Sequence, residues 1–258
     1  MGPSADGSGE QKLTHEPRFK QGSIDGEIIV FIHGYMGTPR QFDNLADIVC
    51  LQGFSYTSLL LPGHGVSVKE FSEATHENWQ EHVYNEIERL SLSYKKIWLV
   101  GHSMGCLLAL HAAIKFPQCV CGVFAIACPL KVTYISAHAF VVHLKKFFGS
   151  KNSLINRAYI QFSGVPRTFD LIWRIHKPDF EFLKLQHKTR AILSQVTSPV
   201  VGVFSIDDEV TSVKSLDVMQ SKLAGADFKP IILQDSLHAY YTERDKTTIE
   251  QALLQFIL

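Results

Sequence analysis

The chain has 258 residues, of which 46% are hydrophobic and 19% are charged, with 25 basic side chains balancing 25 acidic ones. This length is near the upper limit for one hydrophobic core, so we expect a single large domain that needs no disulfides for stability. A net charge of zero argues against nucleic acid as a partner, because phosphate binding requires a surplus of basic residues. It also gives no reason to expect attraction to anionic membranes.

The N-terminal segment and the cysteines bear on the cellular location. Residues 1–23 are polar and rich in glycine and serine near the start, and we interpret them as a flexible tail. They lack the basic and apolar regions of a signal peptide, and the longest apolar stretch, residues 119–130, is too short to span a bilayer. The five cysteines are an odd number in mainly apolar surroundings, which indicates reduced thiols. The sequence therefore predicts a cytoplasmic protein without stable membrane insertion.

From residue 24 onward, short apolar runs alternate with helical patterns. Strands are predicted at residues 27–32, 55–61, 97–100, 120–127, 200–205 and 229–233. Apolar side chains at helical spacing predict helices at residues 39–52, 78–92, 103–115 and 247–258. Fully apolar strands separated by helices are typical of a parallel sheet that is covered on both faces, so the predicted fold class is α/β.

The interval from about residue 130 to residue 196 interrupts this alternation. It is rich in aromatic residues and predicts short helices rather than strands, so we interpret it as a cap inserted into the domain of residues 24–258. Residues 134–148 also fit an amphipathic lid that touches lipid aggregates, with Lys145 and Lys146 at its polar edge. A solvated pair of lysines is the simpler interpretation of these two side chains.

The pentapeptide GHSMG, residues 101–105, lies between a predicted strand and a predicted helix. A serine on such a tight turn has its hydroxyl exposed at the edge of the sheet. Both glycines serve a steric purpose, since a Cβ at either position would clash where the strand and the helix nearly touch. The N-terminus of the following helix adds a partial positive charge beneath the site. Ser103 is therefore the candidate nucleophile.

A serine nucleophile needs a base that removes its proton and donors that receive the developing oxyanion. Among twelve histidines, His238 alone follows a predicted strand in a place that completes the chain order serine, aspartate, histidine. Asp207 is the favoured acid because it follows the strand at residues 200–205, although Asp208 and Glu209 compete for the same role. Either aspartate also fits as a helix cap.

The segment HGYMG, residues 33–37, directly follows the first predicted strand. A loop in this place can direct backbone N–H groups toward Ser103. The natural pair of oxyanion donors is the N–H of Tyr35 with that of Met104. His33 and His102 are interpreted as packing or hydrogen-bonding residues of their loops.

The segments HGYMG, LPGHG, GHSMG, SIDDEV and DSLH, in this order, resemble the α/β-hydrolase superfamily, and in particular small bacterial carboxylesterases and monoacylglycerol lipases. The resemblance runs from about residue 28 to the C-terminus. It implies an eight-stranded, mostly parallel sheet with a cap after the sixth strand, at residues 120–127. It also implies ester hydrolysis through an acyl-enzyme without a metal or cofactor. In that scheme Ser103 is the nucleophile, Asp207 the acid and His238 the base, with Tyr35 and Met104 as oxyanion donors.

Two features depart from the family pattern. The acidic loop lacks the glycine that usually follows its strand, and Leu237 rather than glycine precedes His238. His64 of LPGHG is interpreted as a structural hydrogen-bonding residue. The expected substrate is a small uncharged ester of short to medium acyl chain, monoacylglycerols included. Acyl transfer, thioester hydrolysis, C–C bond hydrolysis and a non-catalytic receptor on the same scaffold remain alternatives, and the oligomeric state is left open.

Overall fold

A computed structural model describes residues 15–132, 163–166, 168–223 and 225–258. Within these residues seven strands form one sheet in the order β1-β3-β2-β4-β5-β6-β7. Every neighbouring pair is parallel except β1 with β3. The strands are β1 (Arg18–Lys20), β2 (Glu27–Ile32), β3 (Ser55–Leu59), β4 (Lys96–His102), β5 (Val120–Ile126), β6 (Val200–Ser205) and β7 (Phe228–Leu233).

Helices cover both faces of this sheet, because each of its central strands is apolar on both sides. The helices are α1 (Asp43–Leu51), α2 (Val68–Glu73), α3 (His76–Ser91), α4 (Met104–Lys115), α5 (Phe169–Arg174), α6 (His176–Ile192), α7 (Ser215–Lys222) and α8 (Glu243–Ile257), with 3-10 turns at Pro39–Phe42 and Leu193–Gln195. Side chains of α3, α4, α6 and α7 pack in the core on one face. Those of α1 and α8 pack in the core on the other face.

The predicted α/β class is confirmed, but the number of strands differs from the implied eight. The described residues contain seven, so β5 is the fifth strand of the sheet in chain order rather than the sixth. The bounds of β2 and β6 agree with the sequence prediction, and β4 is longer at both ends.

The predicted tail is wrong for the described residues that it includes. Arg18–Lys20 forms strand β1, which pairs with β3 in the register Arg18 to Ser58. Three residues are too few to display a period-two pattern, and the partner strand supplies what the local sequence lacks. Residues 1–14 lie outside the described part of the chain.

The insertion between β5 and β6 is described only in part. Helices α5 and α6, the insertion helices, lie within the predicted interval 130–196. The predicted lid at residues 134–148, with Lys145 and Lys146, lies outside the described residues. In the described part of the chain no helix has the length and apolar character needed to cross a membrane.

Two backbone joints flank residues 133–162. On one side Val132 bridges Thr211, and the N–H of Ser212 donates to the carbonyl of Lys131 at 2.9 Å. On the other side Gly164 donates its N–H to the carbonyl of Met36 at 2.8 Å. The carbonyl of Gly164 accepts from the N–H of Gly65 at 2.6 Å. Backbone hydrogen bonds therefore attach the insertion to the loops that follow β2, β3 and β6.

Candidate active site

Ser103 lies on the turn between β4 and α4, with φ of 50° and ψ of −120°. This backbone conformation is strained for a residue with a Cβ and persists only where the surroundings impose it. Close packing of the strand and the helix imposes it here. A Cβ on Gly101 would lie 2.6 Å from the N atom of Cys106, and one on Gly105 would overlap the carbonyl oxygen of Ile32. The turn therefore holds Ser103 at the carboxyl end of the sheet.

The structure brings Ser103 and His238 together, although they are 135 positions apart in the chain. The Oγ atom of Ser103 lies 3.0 Å from Nε2 of His238. His238 lies in the loop between β7 and α8, and the carboxyl ends of β4 and β7 open on the same edge of the sheet. The two residues are placed for proton transfer from the hydroxyl to the imidazole.

The structure contradicts the choice of Asp207 as the partner of His238. The carboxylate of Asp208 lies 2.9 Å and 3.1 Å from Nδ1 of His238, whereas Asp207 is exposed. The chain turns directly after β6, with Ile206 and Asp207 on the outside of the turn. This turn directs the next side chain, that of Asp208, inward to the histidine.

Asp208 is held as an ionised carboxylate. Its Oδ1 accepts the N–H of Thr211 at 2.6 Å and that of Val210 at 2.8 Å. Burial opposes its ionisation, but the charge of His238 and these hydrogen bonds outweigh burial and lower the pKa of Asp208. The third acidic candidate, Glu209, contacts the backbone instead, since its Oε2 accepts the N–H of His238 at 3.0 Å.

The 33–37 loop lies against the serine turn. A Cβ on Gly34 would sit 3.1 Å from the Cβ of Ser103. His64 supports this loop, because its Nε2 accepts the N–H of Met36 at 3.2 Å while its Nδ1 faces the carbonyl of Pro62 at 3.2 Å. Burial lowers the pKa of His64 to about 4, so the side chain is neutral at physiological pH. The hydrogen-bonding role expected of His64 is thus the one observed.

Each of the two residues expected to donate an N–H to the oxyanion comes directly after a residue of the site in the sequence. Tyr35 follows Gly34 in the 33–37 loop, and Met104 follows Ser103 as the first residue of α4. The hydroxyl of Tyr35 donates to Oδ1 of Asp179 in insertion helix α6 at 2.7 Å. Its ring packs 5.7 Å from that of Phe182 in the same helix. The insertion therefore contacts the loop that lies beside the serine.

A second cluster of titratable groups joins α3 to α6. Ligand-type atoms of His76, Glu77 and Glu181 lie within 4.8 Å of one another, a spacing that would suit a metal ion. Two ammonium groups already pair with them: Nζ of Lys188 lies 2.6 Å from Nε2 of His76, and Nζ of Lys184 lies 2.7 Å from Oε1 of Glu181. We interpret the cluster as an ion-pair junction between the two helices.

Known proteins were compared with this chain and its fold. The model of a family described as the alpha/beta hydrolase family matches residues 29–239. A thermostable monoacylglycerol lipase of Bacillus sp. (strain H-257) is 22% identical over 232 residues, which are 88% of this chain and 89% of the relative.

Solved structures give the same fold. One from work on LipS and LipT, two metagenome-derived lipolytic enzymes, has a TM-score of 0.76 at 19% identity and covers 95% of this chain and 98% of its own. A soluble variant of monoglyceride lipase from Saccharomyces cerevisiae has a TM-score of 0.73 at 16% identity, covering 93% of this chain and 90% of its own. At such identities the likeness establishes the fold and leaves the substrate open.

Proposed function

Because the chain belongs to the alpha/beta hydrolase family, we propose that it is a serine esterase with Ser103 as nucleophile, His238 as general base and Asp208 as acid. The observation that carries this proposal is the hydrogen-bonded path from the Asp208 carboxylate through His238 to the Ser103 hydroxyl. Its two contacts measure 2.9 Å and 3.0 Å, both within the range for proton transfer. The lipases among its relatives, at low identity, support the same chemistry.

The first half of the reaction forms an acyl-enzyme. Nε2 of His238 removes the proton of Ser103 as Oγ attacks the ester carbonyl carbon. Asp208 holds the proton on Nδ1 and stabilises the imidazolium without taking that proton itself. The N–H groups of Tyr35 and Met104 receive the negative charge on the former carbonyl oxygen, with help from the N-terminus of α4. His238 then gives its proton to the departing alcohol.

The second half of the reaction releases the acid. Water enters in place of the alcohol and loses a proton to His238 as its oxygen attacks the acyl carbon. The same two N–H groups stabilise the second tetrahedral intermediate. When it collapses, His238 returns a proton to Oγ of Ser103, so that the carboxylic acid leaves and the resting site is restored.

We propose uncharged esters of short to medium acyl chain as substrates, monoacylglycerols included. Buried apolar side chains pack around the 33–37 loop where it meets α2 and the insertion, so the surroundings of the proposed oxyanion donor Tyr35 are apolar, as an apolar acyl group would require. The Bacillus relative is a monoacylglycerol lipase, in agreement with this class. The apolar cluster consists of Met36, Val68, Phe71, Val165, Leu171 and Ile175, with Tyr35 packed against it.

A cytoplasmic location is part of the proposal. All five cysteines are free thiols. Cys106 and Cys128 are completely buried in the main core. Reduced cysteines are usual in proteins of reducing compartments.

The proposal is tested by hydrolysis of p-nitrophenyl esters with acyl chains from C2 to C16. We expect wild-type turnover with an optimum at short or medium length, and loss of turnover in Ser103→Ala with folding intact. Ser198→Ala is the matched control, because it removes another buried hydroxyl just before the amino end of β6, one that has no hydrogen-bond partner among the described residues. A folded wild type that is silent across the series, or a Ser103→Ala variant as active as the control, would contradict it.

A further inference from the structure

Three hydrogen bonds connect the 33–37 loop to the backbone of His238. The N–H of Gly34 donates to Oε1 of Gln41 at 3.2 Å. The Nε2 atom of Gln41 lies 2.8 Å from Nδ1 of His102. On the other side of the same ring, Nε2 of His102 lies 2.9 Å from the carbonyl oxygen of His238. Two side chains thus span the distance between two loops of the active site.

The backbone groups at the two ends of this hydrogen-bond network determine the direction of each hydrogen bond in it. A backbone N–H can only donate, so Gln41 must present its oxygen to Gly34 and its amide N–H to His102. Nδ1 of His102 must then accept, which leaves the ring proton on Nε2. A carbonyl can only accept, and that proton points at the carbonyl of His238. The network of three hydrogen bonds therefore has one consistent arrangement of protons.

His102 is neutral and confined. The residue is 3% exposed. Burial, together with the neighbouring His238, lowers the pKa of His102 to about 3. Its ring centroid lies 5.0 Å from that of His238. A Cβ on Gly34 would lie 3.0 Å from Nδ1 of His102, so loop, ring and histidine are in close contact.

We propose that Gln41 and His102 are positioning residues that hold the 33–37 loop and the His238 loop at a fixed separation on either side of Ser103. This inference rests on the proposed function, because it assigns the two loops to the oxyanion donors and the base. Neither residue touches the reacting atoms. They act through the backbone of Gly34, which directly precedes the oxyanion donor Tyr35, and through the backbone of His238, which is the base.

Other contacts at His238 leave its carbonyl dependent on His102. The N–H of His238 is held by Glu209 at 3.0 Å. The carbonyl is shared by His102 and by the hydroxyl of Tyr241, which donates at 3.0 Å. Among the residues that the structure describes, loss of His102 leaves the hydroxyl of Tyr241 at this carbonyl and no hydrogen bond from it toward the 33–37 loop. A shift of about 1 Å in a catalytic group costs roughly 100-fold in rate.

Gln41→Met is the decisive variant. It keeps the length of the side chain, removes both hydrogen bonds, and affects a residue that is only half-buried. We expect kcat for p-nitrophenyl butyrate to fall by about 10- to 100-fold while KM stays within about 3-fold, because the missing bonds align catalytic groups rather than bind substrate. The rate at which a fluorophosphonate labels Ser103 should fall in parallel, since the same base activates the serine.

Gln80→Met is the matched control. In the wild type, Nε2 of Gln80 lies 2.9 Å from Nδ1 of His111, so this variant also loses a glutamine–histidine hydrogen bond, here between α3 and α4. We expect a lower melting temperature for this variant with kcat and KM near wild type. A kcat for Gln41→Met equal to that of Gln80→Met would overturn the inference.

A double-mutant cycle with His102→Gln provides the second measurement. If the two residues act through the same hydrogen-bond network, Gln41→Met adds little to the loss of kcat already caused by His102→Gln. Losses that multiply would overturn the shared role. Thermal melting shows whether each variant is folded, and the Gln41→Met comparison decides the question if His102→Gln is not. A wild type without esterase activity refutes the proposed function, whereas an active wild type with an unimpaired Gln41→Met refutes only the positioning role.

Discussion

At the scale of single residues, the orientation of one carboxylate controls the site. Asp208 accepts hydrogen bonds from the side chain of His238 and from the backbone of Val210 and Thr211. Three donors on two oxygens leave the carboxylate little rotational freedom. A fixed carboxylate keeps the proton of the imidazole on Nδ1 and leaves Nε2 as an acceptor for the serine proton.

Asp208→Asn should therefore be far more damaging than Asp207→Asn. An amide in place of the Asp208 carboxylate stabilises the wrong histidine tautomer and no longer balances the imidazolium, so we expect kcat to fall by about 10⁴-fold. Asp207 is exposed, and its replacement should change kcat less than about 3-fold. Steady-state kinetics on the two isosteric variants makes the comparison, and a larger loss in Asp207→Asn would show that the acid is misassigned.

At the scale of secondary-structure elements, the contact between β4 and α4 determines the position of the nucleophile. Gly105 lies so close to the end of β2 that a Cβ would overlap the carbonyl oxygen of Ile32. That oxygen belongs to the backbone of a central strand and cannot move without disturbing the sheet. The strained turn at Ser103 thus depends on glycine at position 105, where any side chain would overlap the backbone of β2.

Gly105→Ala should destabilise the whole fold. We expect the free energy of unfolding to fall by at least about 3 kcal/mol, because the overlap is with backbone rather than with a flexible side chain. Gly225→Ala serves as the control, since a Cβ there meets nothing within 4 Å. Urea denaturation of both variants measures the difference, and equal stabilities would refute the account of the turn.

Helix α6 connects the insertion to several parts of the main domain. Asp179 accepts from Tyr35 of the 33–37 loop at 2.7 Å, and Glu181 lies 2.5 Å from His76 at the start of α3. The Nε2 atom of Gln186 donates to the carbonyl of Pro129, after β5, at 2.7 Å. One helix therefore couples the insertion both to the core and to the loop beside the serine.

The contact between Tyr35 and Asp179 is open to a double-mutant cycle. Tyr35→Phe removes the hydroxyl alone, and Asp179→Ala removes its acceptor. Both residues are only partly buried, so we expect a coupling free energy of about 1 kcal/mol in urea denaturation. Additive losses in the two single variants and the double variant would show that the hydrogen bond does not stabilise the folded state.

At the scale of the whole molecule, buried histidines make stability depend on pH. Four histidine side chains that are at most 7% exposed have lowered pKa values, chiefly because burial disfavours the charged form. The pKa falls to about 4 for His64 and His111 and to about 3 for His102, and burial holds the pKa of His33 well below the ordinary 6.5. The unfolded chain binds protons at these positions near pH 6.5, whereas the folded protein does not.

Stability should therefore be full above about pH 6.5 and decrease as the pH falls toward 4. The unfolded state holds more protons throughout this window, so each step toward acid favours unfolding. Urea midpoints between pH 4 and pH 8 test this expectation. His111→Gln should flatten the dependence, while His187→Gln, at an exposed position, should leave it unchanged. A midpoint that does not vary between pH 4 and pH 7 would contradict the account.

The parts of the site that can be read from the sequence are those with local signals. The sequence indicates Ser103 as a candidate nucleophile because an apolar strand, two glycines and an apolar helix surround it, and His238 as a candidate base because it follows the last strand. The choice between Asp207 and Asp208 depended on the direction of a turn. One signal favours Asp208: an aspartate three positions before Thr211 can accept that N–H, as the structure shows.

Short elements were the least predictable part of the fold. Strand β1 has three residues, and its pairing with β3 is a tertiary contact without a local pattern. Helix α2 has six residues, too few for an apolar stripe. A capping signal was present at its start, since Ser67 accepts the N–H of Glu70. The tie between Gln41 and His102 joins residues 61 positions apart, and no spacing in the sequence indicates it.

The joints on either side of residues 133–162 bear on how such a protein can diverge. The hydrogen bonds from Ser212 to Lys131 and on both sides of Gly164 use main-chain atoms, so they place little demand on which side chains occupy the segment between them. Substitutions between Lys131 and Gly164 can therefore accumulate without loss of these main-chain hydrogen bonds. The sequence of that segment and the arrangement of Ser103, His238 and Asp208 can thus evolve as separate traits of one gene.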